Sequence, residues 1–195
     1  DPNGTRSQRM GVGLDAKAYE KIFSGFEISR RLIKIPIGNG FSKYEEELYR
    51  AYLYWTLHAN WVVKGEFQFE ETARIGSNTS SNPTKLQTLS APASIEYFHP
   101  LGIFSRFTTT FVQQDLIRGN RSSHPIQSGI DNFVLLDFSA GFRFPNRRGI
   151  LSLEGRNLLD ENFYYMDDSY RTSESVTTTR FIPQRTILLK LTLNF

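Results

Sequence analysis

The stretch ILLKLTLNF, residues 187–195, decides how the rest of the chain is read. Ile187, Leu189, Leu191, Leu193 and Phe195 share one parity, and Leu188, Lys190, Thr192 and Asn194 share the other. Successive side chains of a strand point to opposite faces, so this is a β-strand with one greasy and one mixed side. A helix would need apolar residues three and four apart.

The same period of two runs back through the chain. Val134, Leu136, Phe138, Ala140, Phe142 and Phe144 oppose Asp137, Ser139 and Arg143. Leu151, Leu153 and Gly155 oppose Ser152, Glu154 and Arg156. Tyr49, Ala51, Leu53, Trp55 and Leu57 alternate with Arg50, Tyr52 and Tyr54, and Trp61, Val63, Gly65, Phe67 and Phe69 with Lys64, Glu66, Gln68 and Glu70. Shorter runs begin at Val12, Ile22, Leu89 and Ile103. The reading is all-β: about nine antiparallel strands, many of ~10 residues or more, against a usual mode of ~5–6. "YEK", "HAN", "HPLG" and "PNRRG" read as tight turns. They alternate with longer polar stretches read as loops, "KIPIGNGFSKY", "ETARIGSNTSSNPTK", "LIRGNRSSHPIQSGID" and "MDDSYRTSESVTTT". No linker, internal repeat or second domain interrupts this rhythm, so residues 1–195 are read as part of one domain.

Composition narrows the classes. Aromatic content of 14% and hydrophobic content of 39% argue against disorder. A net charge of +3 without a basic run gives no reason to expect a nucleic-acid partner. The absence of cysteine removes disulfides, thiolate nucleophiles and sulfur metal sites. No apolar run is long enough for a transmembrane helix, and "DPNGTRSQRM" lacks the build of a signal peptide, as expected of a mature chain or a piece of a longer one.

Alternation does not say whether the greasy face meets a protein core or lipid. A soluble sandwich or lipocalin-like barrel turns it inward, and an outer-membrane barrel turns it outward. Four features favour the second. The strands are long enough for a tilted crossing, which takes ~9–11 residues. The apolar parities carry no charge through their middles, with Arg30 the exception near a long-loop end. Aromatics gather near the short joints (Tyr19, Phe23, Trp61, Phe98, Phe104, Phe144) and the long ones (Phe41, Tyr44, Phe163, Tyr164, Tyr165), as two interfacial girdles would require. Short turns alternate with long loops, the layout of membrane barrels.

The C-terminal third adds a resemblance. "VLLDFSAGFRFPNRRGILSLEGRNLLDENFYYMD" followed by "RFIPQRTILLKLTLNF" resembles the end of TonB-dependent outer-membrane receptor barrels. The motif residues are Asn157, Leu158, Leu159 (where the family usually has Phe) and Asp160, then Pro183 and Arg185 opening the last strand. Residues 10–130 match less well and are also similar to barrels fused behind tetratricopeptide repeats. The resemblance implies an antiparallel up-and-down transmembrane barrel in a Gram-negative outer membrane, of which this chain supplies a C-terminal portion without the plug. It also implies that Phe195, with Leu193 and Leu191, is read by the barrel-assembly machinery. An extracellular ligand, such as a siderophore or other metal chelate, would be taken up, and TonB would be engaged only through an N-terminal region absent from this chain. The tight turns would face the periplasm. The alternatives are a repeat-fused export or passive pore and a soluble β-protein.

In the barrel reading, Arg50, Lys64, Glu66, Glu70, Asp137, Arg143, Glu154, Arg156 and Lys190 face the lumen. They are read mainly as a structural charge ladder and alternatively as a selectivity-setting lining. If Phe144 pairs with Leu151, Asp137 comes diagonal to Arg156. No catalytic constellation or cofactor motif is present, so no enzymatic activity is expected. His58, His99 and His124 are too scattered for a metal site, Asp167 and Asp168 too few for calcium, and "NGT", "NTS" and "NRS" are accidental glycan patterns. Tyr170 and Arg171 are loop candidates for ligand contact.

Overall fold

The computed structural model describes residues 4–37, 40–76, 83–118, 128–161 and 185–194. Period-two patterning becomes one sheet. Its strands are β1 (Arg6–Ala18), β2 (Ile22–Ile37), β3 (Gly40–His58), β4 (Trp61–Ile75), β5 (Pro83–Phe98), β6 (Ile103–Arg118), β7 (Gly129–Arg143), β8 (Gly149–Arg156) and β9 (Thr186–Leu193). Each strand pairs antiparallel with its sequence neighbour, in the order β1 to β9. The nine-strand, up-and-down architecture is as read from the sequence. The sheet is not closed: β1 and β9 are its two edges. Among the described residues there is no α-helix, only a 3-10 turn at Pro145–Arg147.

Three of the expected loops, "LIRGNRSSHPIQSGID" among them, are strand at their described ends. Through "KIPIGNGFSKY", Ile33 pairs with Tyr44 and Ile37 with Gly40. In "ETARIGSNTSSNPTK", β4 continues to Ile75 and β5 begins at Pro83. Backbone pairing carries on where apolar alternation stops, because both partners of a hairpin extend together and satisfy each other's N–H and C=O groups. His58 is likewise the last residue of β3 rather than part of a turn.

The four tight turns share one edge of the sheet, and backbone hydrogen bonds stitch each hairpin to the next. Lys21 O accepts from Thr56 N at 2.9 Å, and Asn60 O from Phe98 N at 2.8 Å. Gly102 O accepts from Arg143 N, and Arg148 O from Asn194 N, both at 2.9 Å. Each turn's closing carbonyl thus finds a donor in the following hairpin, so the rim leaves few orphan groups.

The "PNRRG" turn corrects the expected register. Phe142, not Phe144, pairs with Leu151, and Phe144 N donates to Gly149 O at 2.8 Å. Asn146 and Arg147 both take positive φ, 56° and 59°, within a tight connection that reverses the chain in fewer residues than the looser pairing requires.

Candidate functional site: an apolar outer belt and a charged inner wall

Register sorts the side chains into two faces. Val12 pairs with Ile28, Ile28 with Tyr49, Tyr49 with Phe69 and Phe69 with Leu89, so these five stand side by side on the outer face. Phe107 pairs with Ile95 and Phe138, and Leu153 with Ala140 and Leu189, continuing that face to β9. Its large apolar residues are exposed: Leu53 at 48%, Phe67 at 45%, Phe138 at 42% and Leu191 at 57%. The buried side chains lie at the other parity, where the charges are. They include Ser29, Ile33, Tyr44, Thr72, Leu86, Glu96, Val112, Gln114, Leu116, Phe133 and Ser152. A water-soluble sheet would show the reverse, since apolar burial is what drives folding in water.

The outer belt has a constant height. Five uncharged residues occupy the outer positions of residues 10–18 in β1, 49–57 in β3, 61–69 in β4, 89–97 in β5, 103–111 in β6 and 134–142 in β7. Eight steps of ~3.4 Å give ~27 Å along a strand, or roughly 21 Å at a tilt of ~40°; side chains extend this toward the ~25 Å apolar band of membrane barrels. The next outer position away from the tight turns is polar on each of seven strands: Gln8, Arg30, Glu47, Glu71, Gln87, Gln113 and Asn132. Arg30 sits in that collar, ion-paired to Glu45. Glu71 holds Lys85 at 3.1 Å and accepts from Gln87 at 2.7 Å.

The expected aromatic girdles are only partly formed. Phe41 and Trp61 lie on the outer face, Trp61 with its ring 4.7 Å from that of Tyr97. Phe23, Phe98 and Phe104 fall at the inner parity, and Tyr44 is buried there at 2% exposure. Nearness to a turn fixes an aromatic's height but not its face, which register alone decides. Phe163, Tyr164 and Tyr165 lie outside the described residues.

All nine residues expected to line a lumen share the inner face. Six of them fall into three groups. In the first, Arg50 Nη2 lies 3.2 Å from Glu66 Oε2, Tyr54 donates to Glu66 Oε1 at 2.5 Å, and Tyr52 donates to Asp15. The rings of Tyr52 and Tyr54 stack at 4.9 Å with Arg50 over Tyr52, tying β1, β3 and β4 together. Tyr52 reaches Asp15 across Gly25, where a Cβ would fall 2.8 Å from the Tyr52 ring and 2.5 Å from Asp15 Oδ1. The same device recurs where Phe104 lies over its directly paired Gly141. A large ring over a strand glycine restores the cross-strand packing that the missing side chain would forfeit.

In the second group, Glu96 is buried, its Oε1 held by Lys64 at 2.9 Å and Arg106 at 2.8 Å. Two cations on one carboxylate offset the desolvation that such burial costs. The third is the C-terminal motif. The expected Asp137–Arg156 pair does not form: Arg156 bonds Glu154 at 3.2 Å, and Asp137 Oδ1 accepts from Asn157 N at 2.8 Å. Asn157 turns the chain at φ 47°, and its buried amide donates to Glu161 O at 3.0 Å and accepts from Glu161 N at 2.9 Å. Leu158 N donates to Leu136 O, Leu158 covers Gly155, and Asp160 Oδ1 accepts from Arg185 N at 3.0 Å. Asn157, Leu158, Asp160 and Arg185 therefore fasten β7, β8 and the entry to β9, while Leu159 is exposed. Only the full set of partners shows this; the sequence signal was the resemblance of Asn157 to Asp160, with Pro183 and Arg185, to a receptor-barrel motif.

Glu70 accepts from Gln68 at 2.8 Å, and Arg143 and Lys190 stand exposed near the tight-turn rim. Leu191 and Leu193 lie on the outer face, paired with Leu151 and Gly149. Phe195, Pro183, His124, Asp167, Asp168, Tyr170, Arg171 and the three expected glycan-pattern asparagines lie outside the described residues. Among the described residues no group of His, Asp and Glu is arranged to hold a metal. The His99 ring nitrogen Nδ1 accepts from Leu101 N at 3.2 Å, a turn-stabilising role. No family model matches the chain, and neither a curated protein nor a solved structure matches it.

Proposed function

We propose that this chain is part of the wall of an outer-membrane β-barrel, with the apolar belt against lipid and the charged face toward an aqueous lumen. One observation carries the reading: burial is inverted, with charges on the crowded face and a belt of even height exposed. The exposed belt side chains amount to on the order of 2,000 Å² of apolar surface, several times the largest patch on a typical soluble monomer. Hydrocarbon removes that penalty, and closed or completed sheets are one of the two structures that satisfy every backbone group there. β1 and β9 run in the same direction, since an odd number of alternating strands separates nothing but like ends. An antiparallel closure would therefore use an odd number of further strands between them.

Within that reading the wall belongs to a receptor or transporter that takes up a large, scarce ligand, such as a siderophore or other metal chelate, in the manner of TonB-dependent receptors. The resemblance of the motif around Asn157 and Asp160 to receptor-barrel ends is what supports this. The tight-turn rim is assigned to the periplasm and the long-loop end to the outside. Refolding tests the placement. The chain should gain β circular dichroism in detergent micelles or lipid vesicles and aggregate in plain buffer; a monodisperse folded chain in buffer refutes it.

A further inference from the structure

Beyond the polar collar, register brings three cations side by side on the outer face. Arg6 of β1 pairs with Lys34 of β2, and Lys34 with Lys43 of β3. Neighbouring strands lie ~4.8 Å apart, so the three roots span roughly 10 Å. All three side chains are exposed, and none has a carboxylate in ion-pair contact among the described residues. On this face of β1–β3, at and beyond the collar, four cations (Arg6, Arg30, Lys34 and Lys43) meet two carboxylates, Glu45 and Glu47. Glu45 holds Arg30, and Glu47 accepts from Tyr49 at 3.1 Å. On β4, Glu71 is taken by Lys85. Like charges placed directly opposite on adjacent strands repel. A multiply charged anion laid across the row removes that repulsion.

Arg6 stands two outer positions past Met10, the last belt residue of β1, and Lys43 three past Tyr49 on β3. At ~6.8 Å per outer position and a ~40° tilt, the roots lie roughly 10–16 Å above the edge of the belt. Long cationic side chains lean back toward a bilayer from such heights, which carries their charges to the headgroup layer. The surroundings are not those of a site for a free ion. Lys43 pairs with Ile75, 46% exposed, and Phe41 and Leu32 are exposed on the same face at 56% and 40%. Cations set among exposed apolar side chains fit an amphiphile, with its phosphate on the charges and its apolar part on their neighbours. A phosphomonoester carries about −1.5 to −2 charge and three strong acceptor oxygens, one for each cation of the row.

We propose that Arg6, Lys34 and Lys43 form a clamp for the phosphomonoester headgroup of a lipid packed against the wall; the clamp rests on the outer-membrane reading. The chain, folded in neutral maltoside micelles, is titrated with phosphatidic acid, phosphatidylglycerol and phosphatidylcholine, and bound lipid is read by native mass spectrometry. Phosphatidic acid should bind at least about fivefold more tightly than phosphatidylglycerol, whose diester carries a single charge. Arg6→Gln, Lys34→Gln and Lys43→Gln together should abolish that preference. Lys34→Gln alone, in the middle of the row, should weaken phosphatidic acid binding about threefold, and decides the case should the triple set not fold. The charge-matched set Arg143→Gln, Arg148→Gln and Lys190→Gln, at the tight-turn end, should keep the preference. Equal binding of the two anionic lipids, or a preference that survives the first set or vanishes in a folded second set, overturns the clamp alone. Displacement of the lipid by millimolar inorganic phosphate also overturns it, and marks a site for a free anion. A chain that gains no β circular dichroism in micelles overturns the outer-membrane reading and the clamp with it.

Discussion

Phe107→Arg places a charge where the belt reading forbids it. Phe107 is the central outer residue of 103–111 on β6, flanked by Ile95 on β5 and Phe138 on β7. It stands four steps from each end of the belt, or ~13 Å along the strand and roughly 10 Å of depth at a ~40° tilt. At that depth an outward Arg costs about 2–4 kcal/mol, a fall of roughly 30- to 1,000-fold in the folding equilibrium constant. Thr108 is the control: it is the next residue, on the inner face, and it pairs with Ser94 and Asp137. Thr108→Arg should cost no more than about 1 kcal/mol, since a wet wall solvates the charge and Asp137 is near. The assay is urea-dependent folding into lipid vesicles, followed by heat-modifiable gel migration and tryptophan fluorescence. Equal losses from the two substitutions, or a larger loss at Thr108, would refute the assignment of faces.

Trp55 and Trp61 both lie on the outer face near the tight-turn end, so lipids brominated near the headgroup should quench their fluorescence more than lipids brominated at the chain terminus. Soluble acrylamide quenching them fully in vesicles would contradict this. Gly141→Ala drives a Cβ to 2.5 Å from the Phe104 ring and 2.6 Å from Leu151 O, and should destabilise by about 1–3 kcal/mol. The double substitution with Phe104→Ala should recover only part of that, as a double-mutant cycle would read. Glu96→Gln strands Lys64 and Arg106 beside a buried amide; both cations are partly solvated, so the expected loss in vesicle unfolding is about 1–2 kcal/mol. Asn157→Ala removes both side-chain bonds to the Glu161 backbone and should cost about 1–3 kcal/mol, with amide exchange accelerating first at residues 157–161.

The amphipathic parity of each strand was legible because a pleated strand alternates strictly, and a greasy residue every second position leaves one partition of faces. Pairing within four hairpins followed from the short joints, which allow little else; the order across the four longer joints came from the structure. Leu191 beside Lys190, or Phe138 beside Asp137, needed no coordinates to be placed on opposite faces. The tight turns at Tyr19, Asn60, Pro100 and Asn146 were equally visible as clusters of turn-forming and polar residues. The extent of pairing was not. "KIPIGNGFSKY" was read as loop, yet strand pairing extends along both of its described arms to Ile37 and Gly40, because backbone bonds do not depend on side-chain polarity.

What the sequence determined by itself, then, was which residues keep company on a face, how many strands there are, and where the chain reverses. Those properties are set by local geometry and by side chains acting one at a time. The tertiary structure decided the rest: the two-residue shift at Phe144, the inner placement of Phe104 and Tyr44, the shared hold on Glu96, the bonds of Asn157, and which face is crowded. The bonds of Asn157 to Glu161 and the pairing of Phe144 with Gly149 are local but set by backbone geometry that no periodicity reports. The others depend on strands distant in sequence meeting in one register, where a one-residue slip would send each side chain to the other side.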